Sequence, residues 1–131
     1  MDKPYISIVI PVYNEEGNLR PLFDRLYPVM QGTGRPFEII FTDDGSRDRS
    51  LAILKELAAQ HPEVRAVELN GNFGQHMAIL AAFEKSAGEI VITLDADLQN
   101  PPEEIPKLVA EVEKGHDVVE AVKTVIAKNR K

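Results

Sequence analysis

Short apolar runs alternate with longer amphipathic segments along the chain, and this alternation constrains the fold more than any other feature. The runs are rich in β-branched residues and predict buried strands over residues 5–10, 37–42, 64–69, 89–94 and 117–122. Between them, apolar residues recur at helical spacing over residues 18–30, 46–61, 74–88 and 101–115. We expect Pro28 to end or kink the first helix. The alternation predicts an α/β fold with a doubly wound, mostly parallel sheet.

The composition fits a single globular domain. The chain has 131 residues, of which 44% are hydrophobic and 27% are charged. It has no cysteine, which excludes disulfides and thiolate metal sites. No apolar run reaches the roughly 20 residues of a membrane span, and the N-terminal run is a first strand rather than a signal peptide. We therefore expect a cytoplasmic location, and the net charge of −6 argues against a nucleic-acid partner.

Charge divides the chain into two parts. Residues 1–122 form the predicted α/β domain, and residues 123–131 form a basic tail. The cations of this tail are Lys123, Lys128, Arg130 and Lys131. A solvated helix or a chain end is the simplest interpretation of the tail.

Two carboxylates, Asp95 and Asp97, follow the fourth predicted strand in the stretch DADLQNPPEE. Unit charges about 4 Å apart repel by roughly 4 kcal/mol at an effective dielectric constant near 20, and a divalent cation removes that cost. Hard oxygen ligands favour Mg²⁺ or Mn²⁺, and the side-chain amide of Gln99 offers a further oxygen. The alternative is that both acids only cap a turn, while Asn100 and Glu103 form a capping box for the next helix.

Polar residues also follow the first two strands. Asp43 and Asp44 come after the second strand and can accept hydrogen bonds from a nucleobase or a ribose hydroxyl. After the first strand, Tyr13 can stack on a base and Glu15 can bind ribose. The alternative is a plain strand–turn–helix joint and a loop with solvated acids. Ligands of such sheets bind beyond the carboxyl ends of the strands, which is where all these residues are expected.

The stretch NGNFGQH precedes the third helix and contains the most notable histidine, His76. A solvent-facing or hydrogen-bonded side chain is a plainer interpretation of this histidine than a ligand contact. Asn70 and Asn72 are interpreted as loop and cap residues. The chain contains neither GxGxxG nor GxxxxGK[ST], so the dinucleotide fingerprint and the Walker-type phosphate loop are both absent.

Together, the motifs SIVIPVYNEE, DDGS, NGNFGQH and LDADLQNPPEEIPKL resemble those of family-2 glycosyltransferases of the GT-A fold, in the same order and at similar spacing. The combination of DADLQNPPE with GQH is most similar to the polyprenyl-phosphate branch of that family. This branch includes dolichyl-phosphate mannose synthase and the undecaprenyl-phosphate aminoarabinose transferase. The resemblance covers about residues 5–119, and its Rossmann-like part is the nucleotide-binding half of the GT-A fold.

The resemblance implies transfer of a sugar from a nucleotide-diphosphate sugar, with UDP favoured, to a polyprenyl phosphate at the cytoplasmic membrane face. The residues that it implies for nucleotide binding are Pro11, Tyr13, Glu15, Asp43, Asp44 and Asp95. Asp95 and Asp97 are implied as the catalytic pair, and Asp97 and Gln99 as ligands of Mg²⁺ or Mn²⁺.

The sequence also departs from the family pattern. Family members continue well beyond this length, and the resemblance implies that acceptor-binding residues lie in that further part. Gly71 stands where close relatives often carry a basic residue, and Glu120 stands where a glycine is usual. We therefore expect the chain to be the donor-binding half of such an enzyme, inactive or weakly active alone. A sheet surface left uncovered would favour self-association.

Two other function classes stay open at this point. A non-catalytic nucleotide-binding module would bind the same donor without turnover. A signalling receiver domain has a similar length and five strand–helix units. Its acids, however, follow the first and third strands, whereas here they follow the second and fourth.

Overall fold

Strands and helices alternate along the chain as the sequence predicts. The structure is a computed structural model that describes residues 3–115 and 125–127. The strands are β1 (Ile6–Val12), β2 (Phe37–Asp43), β3 (Val64–Glu68), β4 (Ile90–Thr93) and β5 (Val125–Ala127). The helices are α1 (Leu19–Gly32), α2 (Ser50–Gln60), α3 (Gln75–Lys85) and α4 (Ile105–Glu113), the last preceded by a 3-10 turn over Pro102–Glu104.

The five strands form one sheet in the order β3-β2-β1-β4-β5. β1 pairs in parallel with both β2 and β4, and β2 pairs in parallel with β3. Along the chain, β2 and β3 are therefore added on one side of β1, and β4 is then added on the other side of β1. Helices lie on both faces of this sheet, which confirms the predicted doubly wound, mostly parallel architecture.

The end of the chain differs from the prediction. The predicted strand over residues 117–122 lies outside the described residues. Within the predicted basic tail, residues 125–127 form β5, which pairs antiparallel with Ile90, Val91 and Ile92 of β4. That part of the tail is therefore an edge strand and not a solvated helix.

Alternating residues of the strands supply two cores on opposite faces of the sheet. On one face Ile8, Ile39 and Ile92 pack with the apolar sides of α1, α2 and α4. On the other face Val9 and Ile40 pack against α3. Because both faces are covered, the central strands are apolar on both sides, as is usual for a parallel sheet.

We expected Pro28 to end or kink the first helix, and the structure shows that it does not end it. α1 continues through it to Gly32, and its predicted inward residues are all buried: Leu19, Leu22, Phe23, Leu26 and Met30. Pro28 lies on the exposed side of the helix, so the carbonyl that loses its N–H partner, that of Asp24, is on the solvent side as well.

Among the described residues, four large apolar side chains are exposed: Tyr13 beside β1, and Phe73, Met77 and Leu80 on α3 or just before it. Met77 and Leu80 are each about half exposed on one side of α3, and Phe73 precedes the helix with 55% of its surface exposed. Both faces of β1, β2 and β4 are covered, so in the described part of the chain the apolar stripe is on the outside of α3 and not on the sheet itself. Self-association stays a prediction, and the stripe is where it would occur. Among the described residues, no helix is long and apolar enough to cross a membrane.

A buried polar cluster fixes the start of β4 beside β1, at the edge opposite the carboxyl ends. The Ser7 hydroxyl donates to Glu38 at 2.7 Å, and the N–H of Gly88 donates to the Ser7 hydroxyl at 2.9 Å. The N–H of Ala87 donates to the same Glu38 oxygen at 2.7 Å. A Cβ at position 88 would lie 2.6 Å from the Ser7 hydroxyl, so this close approach requires glycine. The register of β4 is thus set before its carboxyl end is reached.

The end of α4 is attached to the sheet by one carboxylate. Glu113 accepts hydrogen bonds from the Tyr5 hydroxyl at 2.8 Å and from Arg35 at 2.9 Å. The Arg35 guanidinium also lies 4.6 Å from the centre of the Tyr5 ring. The hydrogen bond from Tyr5, partly opposed by burial and reinforced by Arg35, lowers the pKa of Glu113.

We predict that Glu113→Gln reduces the dependence of stability on pH in the acid range. Because folding lowers the pKa of Glu113, its contribution is full above the unfolded-state value of about 4.3 and is lost as pH falls through the lower folded-state pKa. Thermal unfolding followed by circular dichroism across that range measures the effect. Glu111→Gln, on the same helix, is the control for loss of a charge. Parallel pH profiles for wild type and Glu113→Gln would contradict the prediction.

Candidate functional site

A cleft of about 410 Å³ opens at the carboxyl ends of β1 and β4, where the order of the strands reverses. Open α/β sheets bind ligands at this switch point. The lining residues come from the carboxyl end of β1 and from the segments that follow β1, β2, β3 and β4. They are Pro11, Val12, Tyr13, Glu15, Asp44, Asn72, Gly74, Gln75, Asp95, Ala96 and Asp97.

Six of the eight residues predicted from the sequence line this cleft: Pro11, Tyr13, Glu15, Asp44, Asp95 and Asp97. Asp43 and Gln99 are not among the lining residues. Tyr13 is 44% exposed, so its ring is available to a planar ligand. The fold therefore brings together side chains that are more than 80 residues apart in the sequence.

Hydrogen bonds join the loop after β1 to the loop after β2. Asn14 has a φ of 52°, a conformation that asparagine tolerates better than most residues. Its N–H donates to the Ser46 hydroxyl at 2.9 Å, and its side-chain oxygen accepts from the Arg47 N–H at 2.8 Å. The N–H of Glu15 donates to the Ser50 hydroxyl at 2.9 Å. Tyr13 and Glu15 are thus held on a braced loop.

Asp48 strengthens the same connection. Its carboxylate accepts the N–H of Ser50 at 2.8 Å, at the start of α2, and the N–H of Glu16 at 3.2 Å. Burial by itself raises the pKa of Asp48, but these hydrogen bonds outweigh it and the net shift is downward. Asp48 thus connects the first residue of α2 to the loop after β1.

The two acids after β2 have different environments. Asp43 is only 2% exposed and lies behind the lining residues, with one oxygen accepting the Ser46 N–H at 3.2 Å. Its other oxygen has no hydrogen-bond partner within the described part of the protein. Asp44 is 4% exposed, but it lines the cleft.

Asp44 holds the loop that connects β3 to α3. Its Oδ1 accepts the backbone N–H of Phe73 at 2.7 Å. Its Oδ2 accepts the N–H of Gly74 at 3.0 Å and the side-chain amide of Asn72 at 3.3 Å. Neutral donors thus compensate a buried charge, which would otherwise be costly. This contact could not be predicted from the sequence, because the partners are about thirty positions apart.

Gly45 allows the loops after β2 and β3 to touch. It has a φ of +77°, and a Cβ there would lie 2.7 Å from the carbonyl carbon of Gly71 and 2.8 Å from the nitrogen of Asn72. Both neighbours are backbone atoms that cannot move without shifting the loop. The wall of the cleft that contains Asp44 therefore depends on glycine at position 45.

Asp95 is held by side-chain amides from two elements. Gln75, the first residue of α3, donates to Asp95 Oδ1 at 3.2 Å. Asn100 donates to Oδ2 at 3.4 Å. The predicted capping box of Asn100 and Glu103 is wrong: neither the 3-10 turn nor α4 has a side-chain cap, and the Asn100 amide donates to Asp95 instead.

Asp97 lies on an exposed turn with unusual backbone geometry. Its Oδ1 accepts the N–H of Gln99 at 3.1 Å. Leu98, between them, has a φ of 67° while its side chain packs against the core. For a residue with a Cβ, this conformation costs about 1–2 kcal/mol. Core packing thus holds the turn that presents Asp97.

The donor set fits a hard divalent cation only if a ligand completes it. In residues 3–115 and 125–127, no group of three or more His, Cys, Asp or Glu side chains could hold a metal ion. Asp95 and Asp97 supply two carboxylates, however, and Mg²⁺-type ions are commonly held by one or two carboxylates together with substrate phosphates. The exposed Gln99 is next to Asp97 in the turn, although its side chain does not line the cleft.

Five lining residues were not predicted from the sequence: Val12, Asn72, Gly74, Gln75 and Ala96. Asn72 was interpreted as a loop residue, which it is, but it also reaches Asp44. Gln75 belongs to the GQH motif, in which only the histidine drew attention. His76 is exposed, in agreement with its solvent-facing interpretation.

The sequence profile described as Glycosyl transferase family 2 matches residues 7–130. The chain belongs to this family. Over 126 residues it is 55% identical to an undecaprenyl-phosphate 4-deoxy-4-formamido-L-arabinose transferase of Pseudomonas paraeruginosa, covering 92% of this chain and 37% of the relative. The transferase of the same name from Pectobacterium atrosepticum is 55% identical over 120 residues, covering 90% of this chain and 36% of the relative. The resemblance inferred from the motifs is confirmed. The chain spans little more than a third of the length of these curated relatives.

Two solved structures have a similar fold. The glucosyl-3-phosphoglycerate synthase of M. tuberculosis superposes with a TM-score of 0.68 at 28% identity, over 88% of this chain and 43% of that one. A mannosyltransferase from Pyrobaculum calidifontis, in complex with GDP-Man and Mn²⁺, superposes with a TM-score of 0.67 at 25% identity. That match covers 83% of this chain and 32% of the mannosyltransferase. The family match decides against the receiver-domain alternative.

We predict that Gly45→Ala destabilises the protein more than Gly34→Ala does. Both glycines have positive φ, +77° and +70°, so both substitutions carry the strain of about 1–2 kcal/mol. A Cβ at position 34 meets nothing within 4 Å, whereas a Cβ at position 45 overlaps backbone atoms. Urea unfolding of the two variants isolates the cost of the overlap. Equal losses of stability would show that the loops after β2 and β3 separate freely.

Proposed function

We propose that the chain is the donor-binding part of a glycosyltransferase that moves a sugar from a nucleotide-diphosphate sugar to a polyprenyl phosphate. The observation that carries the proposal is the cleft at the switch point, which gathers Tyr13, Asp44, Asp95 and Asp97 in a family-2 chain. The names of the relatives support undecaprenyl phosphate as acceptor. We propose a UDP-linked sugar as the favoured donor class. Such an acceptor would place the full-length protein at the cytoplasmic face of a membrane.

The nucleoside would bind on the β1–β2 side of the cleft. Pro11 and Tyr13 offer apolar surface to a base, and Glu15 and Asp44 offer carboxylate oxygens to its N–H groups or to ribose hydroxyls. One Glu15 oxygen already accepts a hydrogen bond from Asn18 at 2.8 Å, which orients the carboxylate. Asp43 would act from behind this wall, where it holds the N–H of Ser46.

The diphosphate would bind on the β4 side, at Asp95 and Asp97. Among the described residues that line the cleft, none is Lys or Arg. A diphosphate approaching two carboxylates in a protein of net charge −6 is repelled unless a cation intervenes. We propose Mg²⁺ or Mn²⁺ for this role, held by Asp95, Asp97 and, after movement of its side chain, Gln99. The Mn²⁺ complex of the mannosyltransferase of similar fold supports this assignment.

The chemistry proposed for the full-length protein is a single displacement. An acceptor phosphate oxygen forms a bond to the anomeric carbon while the bond from that carbon to the nucleoside diphosphate breaks, with inversion. The bound cation would stabilise the departing diphosphate. Asp95 and Asp97 are the catalytic pair in this proposal because they hold the leaving group. An acceptor phosphate is already ionised, so little general-base help is needed.

We predict that UDP binding depends on a divalent cation, whereas uridine binding does not. The physical reason is the absence of lysine and arginine from the described lining of a cleft with at least two acids at the diphosphate end. Isothermal titration calorimetry of the 131-residue chain with UDP and Mn²⁺ should show affinity that falls sharply on addition of EDTA. Uridine serves as the matched ligand without a diphosphate. Equal UDP affinity with and without metal would overturn the proposed diphosphate site.

We predict different effects for Asp97→Asn and Asp44→Asn. Asp97→Asn should weaken Mn²⁺-supported UDP binding about tenfold or more, since a contact to a charged group is worth roughly 1.5–3 kcal/mol. It should leave uridine binding nearly unchanged. Asp44→Asn should weaken the binding of uridine and UDP alike, because it disturbs the β1–β2 side of the cleft, where the nucleoside would bind, and the loop of residues 72–74. Asp24→Asn, an exposed acid on α1, is the control for charge. Identical effects of the two variants on both ligands would refute this division of roles.

A further inference from the structure

The loop between β3 and α3 is fixed at one end by a buried carboxylate. Asp44 accepts the backbone N–H groups of both Phe73 and Gly74, at 2.7 and 3.0 Å. Gly74 has a φ of +99° and is the residue immediately before α3. Two consecutive N–H groups that bind one carboxylate restrict both position and direction of the chain at that point. The first residue of α3 therefore leaves the loop with a defined orientation.

That first residue, Gln75, reaches across the cleft. Its side-chain amide donates to Asp95 Oδ1 at 3.2 Å. Asn100, from the segment after β4, donates to the other oxygen of Asp95 at 3.4 Å. Asp95 is thus held from two sides by groups that belong to different elements, whereas the hydrogen bond described for Asp97 comes from its own turn.

The chemical character of these donors matters for a cation. Each carboxylate oxygen has about two acceptor sites, so one amide on each oxygen leaves a site free on each. An amide fixes the rotation of the carboxylate without neutralising it, whereas a lysine or arginine would compete with the cation for the same charge. Partners that orient a ligating carboxylate in this way typically change metal affinity by about 10–100-fold when they are removed.

We propose that Gln75 is a positioning residue that holds Asp95 in the orientation needed for a divalent cation and a diphosphate, and that Asp44 fixes Gln75 through the loop of residues 72–74. The inference rests on the proposed function, because it concerns the same diphosphate end of the cleft. This arrangement links the side of the cleft where the nucleoside would bind to the diphosphate end, through hydrogen bonds between side chains and backbone. A purely structural Gln75 would affect folding and leave the metal dependence of binding unchanged.

The test is Gln75→Met, which retains an unbranched side chain of similar length and removes the N–H donor. Gln60→Met, at the exposed end of α2, is the matched control. Calorimetric titration of UDP at a series of Mn²⁺ concentrations gives the apparent Mn²⁺ affinity of the UDP complex. Uridine binding without metal and the melting temperature are measured on the same samples. We expect apparent Mn²⁺ affinity to fall about 10–100-fold in Gln75→Met, with far smaller changes in uridine binding and melting temperature.

The outcomes separate the two proposals. If wild type shows Mn²⁺-dependent UDP binding and Gln75→Met behaves as Gln60→Met does, the positioning role is overturned and the proposed function stands. If Gln75→Met loses uridine binding and metal-supported binding in equal proportion, the residue supports the loop only, and the positioning role is again overturned. If wild type itself binds UDP without any dependence on Mn²⁺, the proposed diphosphate site fails, and the positioning role fails with it.

Discussion

Parallel pairing of β1 with strands on both of its sides is the constraint on which the rest of the structure depends. Because β2 and β4 run in the same direction as β1, the segments that follow all three emerge at one edge of the sheet. Reversal of strand order at β1 leaves a gap there that no crossover helix fills. The buried cluster of Ser7, Glu38 and Gly88 locks β4 beside β1 at the opposite edge. Placement of Asp95 at the cleft follows from that register.

The acids of the cleft are stabilised in three different ways, none of which uses a cationic side chain described in its lining. Asp44 is compensated by backbone N–H groups, Asp95 by side-chain amides, and Asp97 by exposure to water and one N–H. Neutral donors hold the carboxylates in place and leave their negative charge intact. The site is therefore organised but electrostatically incomplete, which is the state expected of a pocket whose ligand brings its own counter-ion.

Periodicity in the sequence was sufficient for β1 to β4, for the inward face of α1 and for the edge of the sheet that carries the site. Such patterns indicate which side of each segment packs against the core. They could not reveal that Asp44 binds the backbone of Phe73, because that contact depends on how two loops approach each other. For the same reason Asn100 was assigned to a helix cap, when in three dimensions it faces Asp95. The sequence pattern did not show that α1 continues past Pro28, which lies on the solvent side of the helix.

The left-handed backbone at Leu98 has a further consequence for how the protein would lose function on heating. The strain in this turn persists only while the Leu98 side chain stays packed against the core. Elements near a strained, half-exposed turn open with lower free energy than the centre of a sheet. The segment around Asp97 should therefore unfold locally while β1, β2 and β4 remain intact. Ligand binding would then be lost at a lower temperature than the global fold.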